Sequence, residues 1–500
     1  MENIAFGHYA FRSGGSLGAD EAAYWIKSRF ESFGLDAWLE SFEFTTWNPL
    51  DKPTLIIDVD GNMDTTNDQI LIDSFQSTHL SWPTQSGGVF ADLVILPLPK
   101  AENIYEIGVR PINETEWNAI NTTGKVVLIG MEVRWSGSWE QTFIEKITEQ
   151  TPAAIVYTWW YDWMSFTPIM FSSAGGRPLS GFGPYYWNNQ IPVGAVNYGD
   201  GMEIRNLEDT VNVSAHVLLN SVIDFGQHYN VVGKIEGYEN PNKFVIISAH
   251  YDTVMCAGFC DNGAGTAGII ELARVFAEAV VEGIYKPKYT LLFVAFASEE
   301  LGLVGSINYL MRHKNEMPNI VAVINLDCIG SDELRVTETE AIDGFDLDEA
   351  IVNAAHDLGI PIAFESPGGS DQETFRNPSW ADWFYYWCWQ LEANISDVTA
   401  VKPSALIVSY PLFYRDLWNM GSPGWIHTSY DNSTSTSTLN WVEVDDLENH
   451  LKVAALSLLR ISPTTHFYIL MEGPYFTWYG VEYWIVDARR HPIRIISNYK

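Results

Sequence analysis

Apolar positions follow two different rhythms along this chain. From Asn230 onward, continuous apolar runs that end in charged residues alternate with stretches of helical periodicity. The runs are KFVIISAHYD (243–252), YTLLFVAFASEE (289–300) and NIVAVINLDCIG (319–330). Between them lie GTAGIIELARVFAEAV (265–280) and LGLVGSINYLMRH (301–313), both patterned as helices. Strands apolar on both faces and joined by helices indicate βαβ units and a parallel sheet. Further helices are predicted over Leu347–Leu358 and Val444–Ile461, and a strand over 404–410. Near the start, Ala22, Ile26, Phe30 and Phe33 fall at helical spacing within 16–34, and Gly34 is a natural stop. Extended stretches follow at 37–46 and 53–59.

Between about 60 and 220 the runs shorten and turn residues separate them: 89–97, 124–131, 153–160, 191–198 and 210–219, with one helix-like piece at 141–150. This reads as a separate, mostly β unit with its own core. The expected fold is therefore α/β, a mixed, largely parallel sheet flanked by helices, in a discontinuous domain of 1–59 and 221–465 interrupted by 60–220. Residues 466–500 are aromatic and β-like, with no role assigned. The polar run NSTSTST (432–438) reads as a loop.

Composition narrows the function classes. A chain of 500 residues with 47% hydrophobic and 14% aromatic residues has ample material for a large core and is not disordered. Sixty-three acidic against 28 basic residues give a net charge of −35, a field that repels a phosphate backbone, so no nucleic-acid partner is expected. No apolar run is long enough for a membrane span. The first residues lack a leader pattern, and sequons at Asn113, Asn121, Asn212, Asn394 and Asn432 lean weakly towards export, with a cytoplasmic location as the alternative. Four cysteines exclude a disulfide framework; Cys256 and Cys260 could pair, while Cys328 and Cys388 read as buried thiols.

The candidate chemistry sits where the strands end. His250 and Asp252 close the first run, Glu299 and Glu300 the second, Asp327 the third. Asp261 lies in the loop after the first run and His427 in a loop after 404–410. Ligands of open α/β sheets bind at the carboxyl ends of the strands, so these side chains converge. Imidazoles and carboxylates together suit borderline divalent ions such as Zn²⁺, with Co²⁺ or Mn²⁺ as alternatives. So many carboxylates would repel one another unless cations neutralised them. One carboxylate can bridge two metals, and the adjacent Glu299 and Glu300 allow one to ligate while the other acts as general base.

The motifs HYD (250–252), DNGAGT (261–266), SEELGLVGS (298–306), NLDCIG (325–330) and HTSYDN (427–432) resemble, in order and spacing, the M28 family of co-catalytic zinc exopeptidases. The resemblance covers roughly 230–461 and the N-terminal helix. It implies two zinc ions bridged by Asp261, one completed by His250 and Asp327 and the other by Glu300 and His427. It also implies Glu299 as general base, Asp252 as the acid orienting His250, and a cis peptide at Asp261–Asn262. The stretches TTGKVVLIG, PAAIVYTWW and IPVGAVNYGDGMEI resemble a protease-associated (PA) domain. Two departures stand out. Ile426 occupies the place where many relatives carry an oxyanion-stabilising Tyr, leaving Tyr410, Tyr414 and Tyr430 as candidates. The stretch GGSDQETF (368–375) resembles a Ser-Asp-His-x-x-Phe pocket loop, with Gln372 in the His position. Ser370, Asp371, Gln372, Arg376, Tyr414 and Tyr430 are the expected substrate-binding residues.

The resulting expectation is a metallo-aminopeptidase acting on peptides. The alternatives are a carboxypeptidase or dipeptidase, which needs a cation such as Arg376 or Arg177 to hold a terminal carboxylate, and a non-catalytic receptor-like protein, which would be expected to lack ligands that are all present here. A related cyclisation of N-terminal glutamine is disfavoured by the PA-like insertion and the complete ligand set. A dinucleotide-binding reading of DNGAGTAG is weak, because its glycines do not directly follow a strand and the leading Asp261 would repel a pyrophosphate. His216 and His356 read as ordinary strand and helix residues, and the Trp-rich segments 158–163 and 380–389 as packing residues rather than a substrate pocket.

Overall fold

A computed structural model of the chain describes residues 12–59, 69–78, 81–96, 119–130, 147, 149–158, 190–207, 213–254, 256–331, 333–337, 339, 345–365, 369–389, 391–396, 398, 402–410, 442–463, 476–478 and 481–483.

Helix α1 (Leu17–Ser32) starts at Ser16, whose side chain accepts from the Ala19 N–H, and Gly34 ends it with φ +88°. Its Ala22, Ala23, Ile26 and Phe30 enter the main core. Strand β1 (Asp36–Pro49) then leads out of this unit. The second sheet takes in β2 (Thr54–Asp58), β3 (Gln69–Leu71), β4 (Gln76–Ser77), β5 (Val89–Ile95), β6 (Val126–Gly130), β7 (Ala154–Thr158), β8 (Val193–Val196) and, after helix α2 (Tyr198–Arg205), β9 (Ser214–Leu218). Their order is β3-β2-β9-β5-β6-β7-β8-β4, with β5 to β8 mutually parallel. The runs expected at 89–97, 124–131, 153–160, 191–198 and 210–219 all form strands here. This sheet also recruits β2, which the periodicity left with the first unit; Leu55 and Ile57 point into the second core. Of the helix-like piece at 141–150, only 147, 149 and 150 lie among the described residues.

The chain re-enters the first unit through β10 (Ser221–Ile235), which pairs antiparallel with β1 from Pro49↔Ser221 to Asp36↔Lys234. Exit and return are thus adjacent. The sequence reading missed most of β10, because Asp224, Gln227 and His228 interrupt its apolar pattern. Next come β11 (Asn240–His250), α3 (Gly265–Val281), β12 (Tyr289–Phe296), α4 (Val304–His313), β13 (Ile320–Leu326), β14 (Glu333–Thr337), α5 (Leu347–Leu358), β15 (Ile362–Glu365), α6 (Gln372–Arg376), α7 (Pro378–Trp389), β16 (Ser404–Tyr410) and α8 (Val444–Ile461). The first sheet has the order β1-β10-β12-β11-β13-β16-β14-β15. Its centre, β12-β11-β13-β16, is parallel; β1, β10 and β14 join antiparallel. The fold is mixed α/β, as the alternation of runs and helices indicates. Far along the chain, β17 (Phe476–Trp478) pairs with β18 (Val481–Tyr483).

Val245, Ile246 and Ile247 of β11, Leu291, Phe293 and Val294 of β12 and Val323 and Ile324 of β13 are buried in one core with the apolar faces of α1, α3, α4, α5 and α8. Burying apolar surface at about 25 cal/mol per Å² makes this continuous core the main source of stability. It also fixes the ends of β11, β12 and β13 side by side, and the charged residues begin there.

Candidate metal centre

His250 is the last residue of β11, the middle one of those three strands. Beyond it the chain runs through a loop into the irregular turn Phe259–Ala264, which delivers Asp261 at the entry to α3. Asp327 directly follows β13, and Glu299 and Glu300 follow β12. The structure therefore brings His250, Asp252, Asp261, Glu299, Glu300 and Asp327 to one edge. The peptide bond Asp261–Asn262 is cis.

One nitrogen or oxygen from each of His250, Asp261 and Asp327 lies within 4.8 Å of the other two. His250 Nε2 is 3.1 Å from Asp261 Oδ1 and 3.4 Å from Asp327 Oδ1. His250 is 1% exposed, yet its Nε2 makes no aligned hydrogen bond among the described residues, and neither does Asp327 Oδ1. A buried imidazole nitrogen left unsatisfied is costly unless another partner takes its lone pair. The other nitrogen is anchored: His250 Nδ1 lies 3.1 Å from the Asp252 carbonyl and 3.5 Å from Asp252 Oδ1. That contact orients the ring so that Nε2 faces the carboxylates, the arrangement of a metal-binding histidine.

Asp252 has a second task. Its Oδ1 accepts from the Glu299 N–H at 2.9 Å and its Oδ2 from the Glu300 N–H at 3.2 Å. One buried carboxylate thus ties the end of β11 to the turn after β12. From the far side, His228 Nδ1 lies 2.7 Å from the hydroxyl of Ser298, a residue held at φ +59°. Gly15, at φ +72°, packs so close to His228 that a Cβ there would sit 2.6 Å from its Nε2. Asn262 ties the remaining pair of segments together: its Nδ2 donates to the Leu326 carbonyl at 2.8 Å, and its Oδ1 accepts from the Gly265 N–H at 2.9 Å.

Charge crowding is evident in the proton affinities. Burial works against a charge on His250, but Asp327, Glu299, Asp252 and Asp261 outweigh it and hold its pKa well above the usual value. Burial also pushes the Glu299 carboxyl well above the ordinary range; His250 opposes this, and Glu300, Asp371 and Asp327 add to it. Asp371 is fully buried and pushed up to about 7, first by burial and further by Asp252 and Asp327, against the pull of His250. Its carboxylate oxygens make no aligned hydrogen bond among the described residues, although the nearby Ser306 hydroxyl favours the charged form. Carboxylates accumulated in this way need cations or protons.

Other expected site residues fare differently. His427, Tyr414, Tyr430, Ile426 and Arg177 lie outside the described residues. Ser370 and Gln372 are buried and engaged with strand β13: Asn325 Nδ2 donates to Ser370 Oγ at 2.9 Å and to Gln372 Oε1 at 3.3 Å, while Asn325 Oδ1 accepts from Ser248. Arg376 is partly exposed and pairs with its helical neighbour Glu373 at 2.9 Å. Cys256 and Cys260 do not pair with each other; all four cysteines are free thiols, and Cys328, expected to be buried, keeps partial exposure. Of the Trp-rich segments, Trp389 is buried and donates to the Leu301 carbonyl, a packing role just past Glu300. His216 stands in β9 and His356 is exposed on α5, as expected. His228, Asn325 and Arg12 also support the site, although the motifs of the sequence give none of them a role. For Arg12 and His228 a signal existed in the Gly14–Gly15 pair ahead of α1, since adjacent glycines mark close backbone approach; Asn325 opens the motif NLDCIG.

Donor set and fold together define a class: an α/β protein with a divalent-cation centre at the carboxyl edge of its parallel strands. Residues 230–446 match the sequence profile of peptidase family M28. A probable zinc metalloprotease of Pyrenophora teres f. teres is 38% identical over 119 residues, 22% of this chain and 24% of its own length. A glutamate carboxypeptidase 2 homolog of Caenorhabditis elegans is 31% identical over 141 residues, 28% of this chain and 18% of its own. The chain thus spans a quarter or less of the length of these curated relatives. Among solved structures, a zinc aminopeptidase of Bacillus subtilis shares the fold, with a TM-score of 0.60 at 19% identity, covering 93% of this chain and 94% of the other.

Proposed function

We propose that the chain is a two-zinc exopeptidase that releases N-terminal amino acids from peptides. The observation that carries this reading is the buried, unsatisfied Nε2 of His250 facing oxygens of Asp261 and Asp327 at 3.1 and 3.4 Å. A mixed imidazole and carboxylate set of this kind fits zinc. In this reading Asp261 is shared by both ions, His250 and Asp327 complete one site, and Glu300 and His427 the other. When bound, the ions polarise the scissile carbonyl and acidify the attacking water.

Glu299 takes the proton from that water and returns it to the leaving amine. Burial raises its proton affinity, which suits the uptake of the proton in the first half of this task. Asp252 keeps His250 oriented and fixes the backbone of Glu299, so base and ligand move together. The α-ammonium of a peptide is attracted to the acidic edge formed by Glu299, Glu300, Asp327 and their neighbours. A carboxypeptidase would need a cation in the same place. The name of the nematode relative favours that rival, and Arg376, a cation expected for it, is partly exposed and pairs with Glu373. The second sheet, leaving and rejoining the first unit at Pro49↔Ser221, is read as a PA-like insertion.

The test is hydrolysis of aminoacyl-nitroanilides beside N-blocked peptides, before and after chelation. Cleavage of the free-amine substrates, abolished by chelator and restored by Zn²⁺ or Co²⁺, is expected. Cleavage confined to N-blocked peptides would overturn the direction, and hydrolysis indifferent to chelator would overturn the metal.

A further inference from the structure

We propose that Arg12 is a positioning residue for the metal centre, setting the distance between His250 and Asp261 by clamping the loop that joins them. Arg12 stands just ahead of α1 and is 2% exposed. Its Nε donates to the Tyr251 carbonyl at 2.7 Å, its Nη1 to Ala257 at 2.8 Å and its Nη2 to Gly258 at 3.2 Å. Its backbone joins the same loop: the Arg12 N–H donates to Thr253 Oγ1 at 3.0 Å, and the Thr253 N–H returns to the Arg12 carbonyl at 3.3 Å. One residue thus bonds to both ends of 251–258 from more than 230 positions away in the chain.

Those ends matter because of what they adjoin. Tyr251 lies between His250 and Asp252. The Gly258 carbonyl that accepts from Arg12 also accepts from the Gly263 N–H at 2.9 Å, next to the Asp261–Asn262 peptide. The guanidinium is a planar fork with several donors in fixed directions, so it holds three carbonyls at set spacings, which a lysine ammonium does not. Burying that charge is costly and is offset by the carbonyl that each of its three nitrogens meets. The contacts leave the reacting edge itself untouched, which makes this a positioning role and not a catalytic one.

This inference rests on the two-zinc reading, and the experiment separates the two. Zinc affinity of the full chain is measured by competition with a chromophoric chelator for wild type, Arg12→Lys and Arg12→Ala, with kcat and KM at saturating zinc and thermal unfolding of the metal-free protein alongside. Loss of an outer partner of a metal site weakens metal binding by about 10- to 100-fold. Arg12→Ala should fall in that range and Arg12→Lys in between, with kcat at saturating zinc reduced and KM little changed. Should Arg12→Ala fail to fold, Arg12→Lys carries the test. Wild-type zinc affinity in a folded Arg12 variant, even one with a lowered melting temperature, would sink the positioning role alone. A wild-type chain that binds no zinc would sink both readings.

Discussion

The two eight-stranded sheets among the described residues are built alike and end differently. Each has eight strands with a parallel centre, and each packs those strands in an aliphatic core. In the first sheet the carboxyl ends of β11, β12 and β13 open into His250, Asp252, Glu299, Glu300 and Asp327. In the second, β6 ends at Gly130, β7 at Thr158 and β8 at Val196. There α2 closes over the edge: Thr158 Oγ1 donates to the Asn197 carbonyl at 3.2 Å, and Gly201 is so close that a Cβ would lie 1.8 Å from that hydroxyl. Among the described residues, this position is packed by the start of α2 against Thr158 in one sheet and lined by acids around a histidine in the other. Architecture supplies an edge; the side chains placed on it supply chemistry.

The sharpest way to break this contrast is Glu299→Gln. It keeps the shape of the edge and removes the proton carrier, so turnover should fall by about 10²- to 10⁴-fold with metal content unchanged. Wild-type rates in that variant would leave the charged edge without its proposed base.

A second variant probes the buried histidines behind the edge. Burial holds His450 down to about 4, and it accepts from the Gly330 N–H through Nδ1. Its folded pKa lies below the value of about 6.5 expected in the unfolded chain, so the unfolded state takes up a proton first as the medium is acidified. Stability is unaffected above that value and declines as the pH falls from 6.5 to 4, by on the order of 3 kcal/mol for this group. His450→Gln retains an acceptor and should flatten the acid side of a melting-temperature profile; an unchanged slope would show that His450 contributes nothing to it. Gly201→Ala makes the smallest change. Overpacking against Thr158 should cost roughly 1–3 kcal/mol of stability in denaturant titrations, with kcat/KM preserved wherever the protein remains folded. A large loss of activity in the folded protein would mean that the second sheet's edge does take part in the chemistry.

The legible parts of this chain are those whose physics is local. The helices at Leu347–Leu358 and Val444–Ile461 carry their periodicity openly, and each charged strand end announces itself by following an apolar run. What stayed hidden depends on partners distant in sequence. Half of β10 looks like a polar loop until β1 lies beside it. Nothing local marks Arg12 as the residue that the 251–258 loop folds around, or Ser370 and Gln372 as partners of Asn325. The cis peptide at Asp261 was expected from family resemblance alone; nothing in composition or periodicity foretells it.

Zinc titration of the chelator-stripped chain, with hydrolysis of an aminoacyl-nitroanilide followed in the same cuvette, tests the central claim most directly. Wild type should take up two equivalents with activity rising alongside, and Asp261→Ala should lose affinity at both sites together with its activity. Full hydrolysis by the stripped protein, or an Asp261→Ala chain that still binds two equivalents as tightly as wild type, would contradict the account.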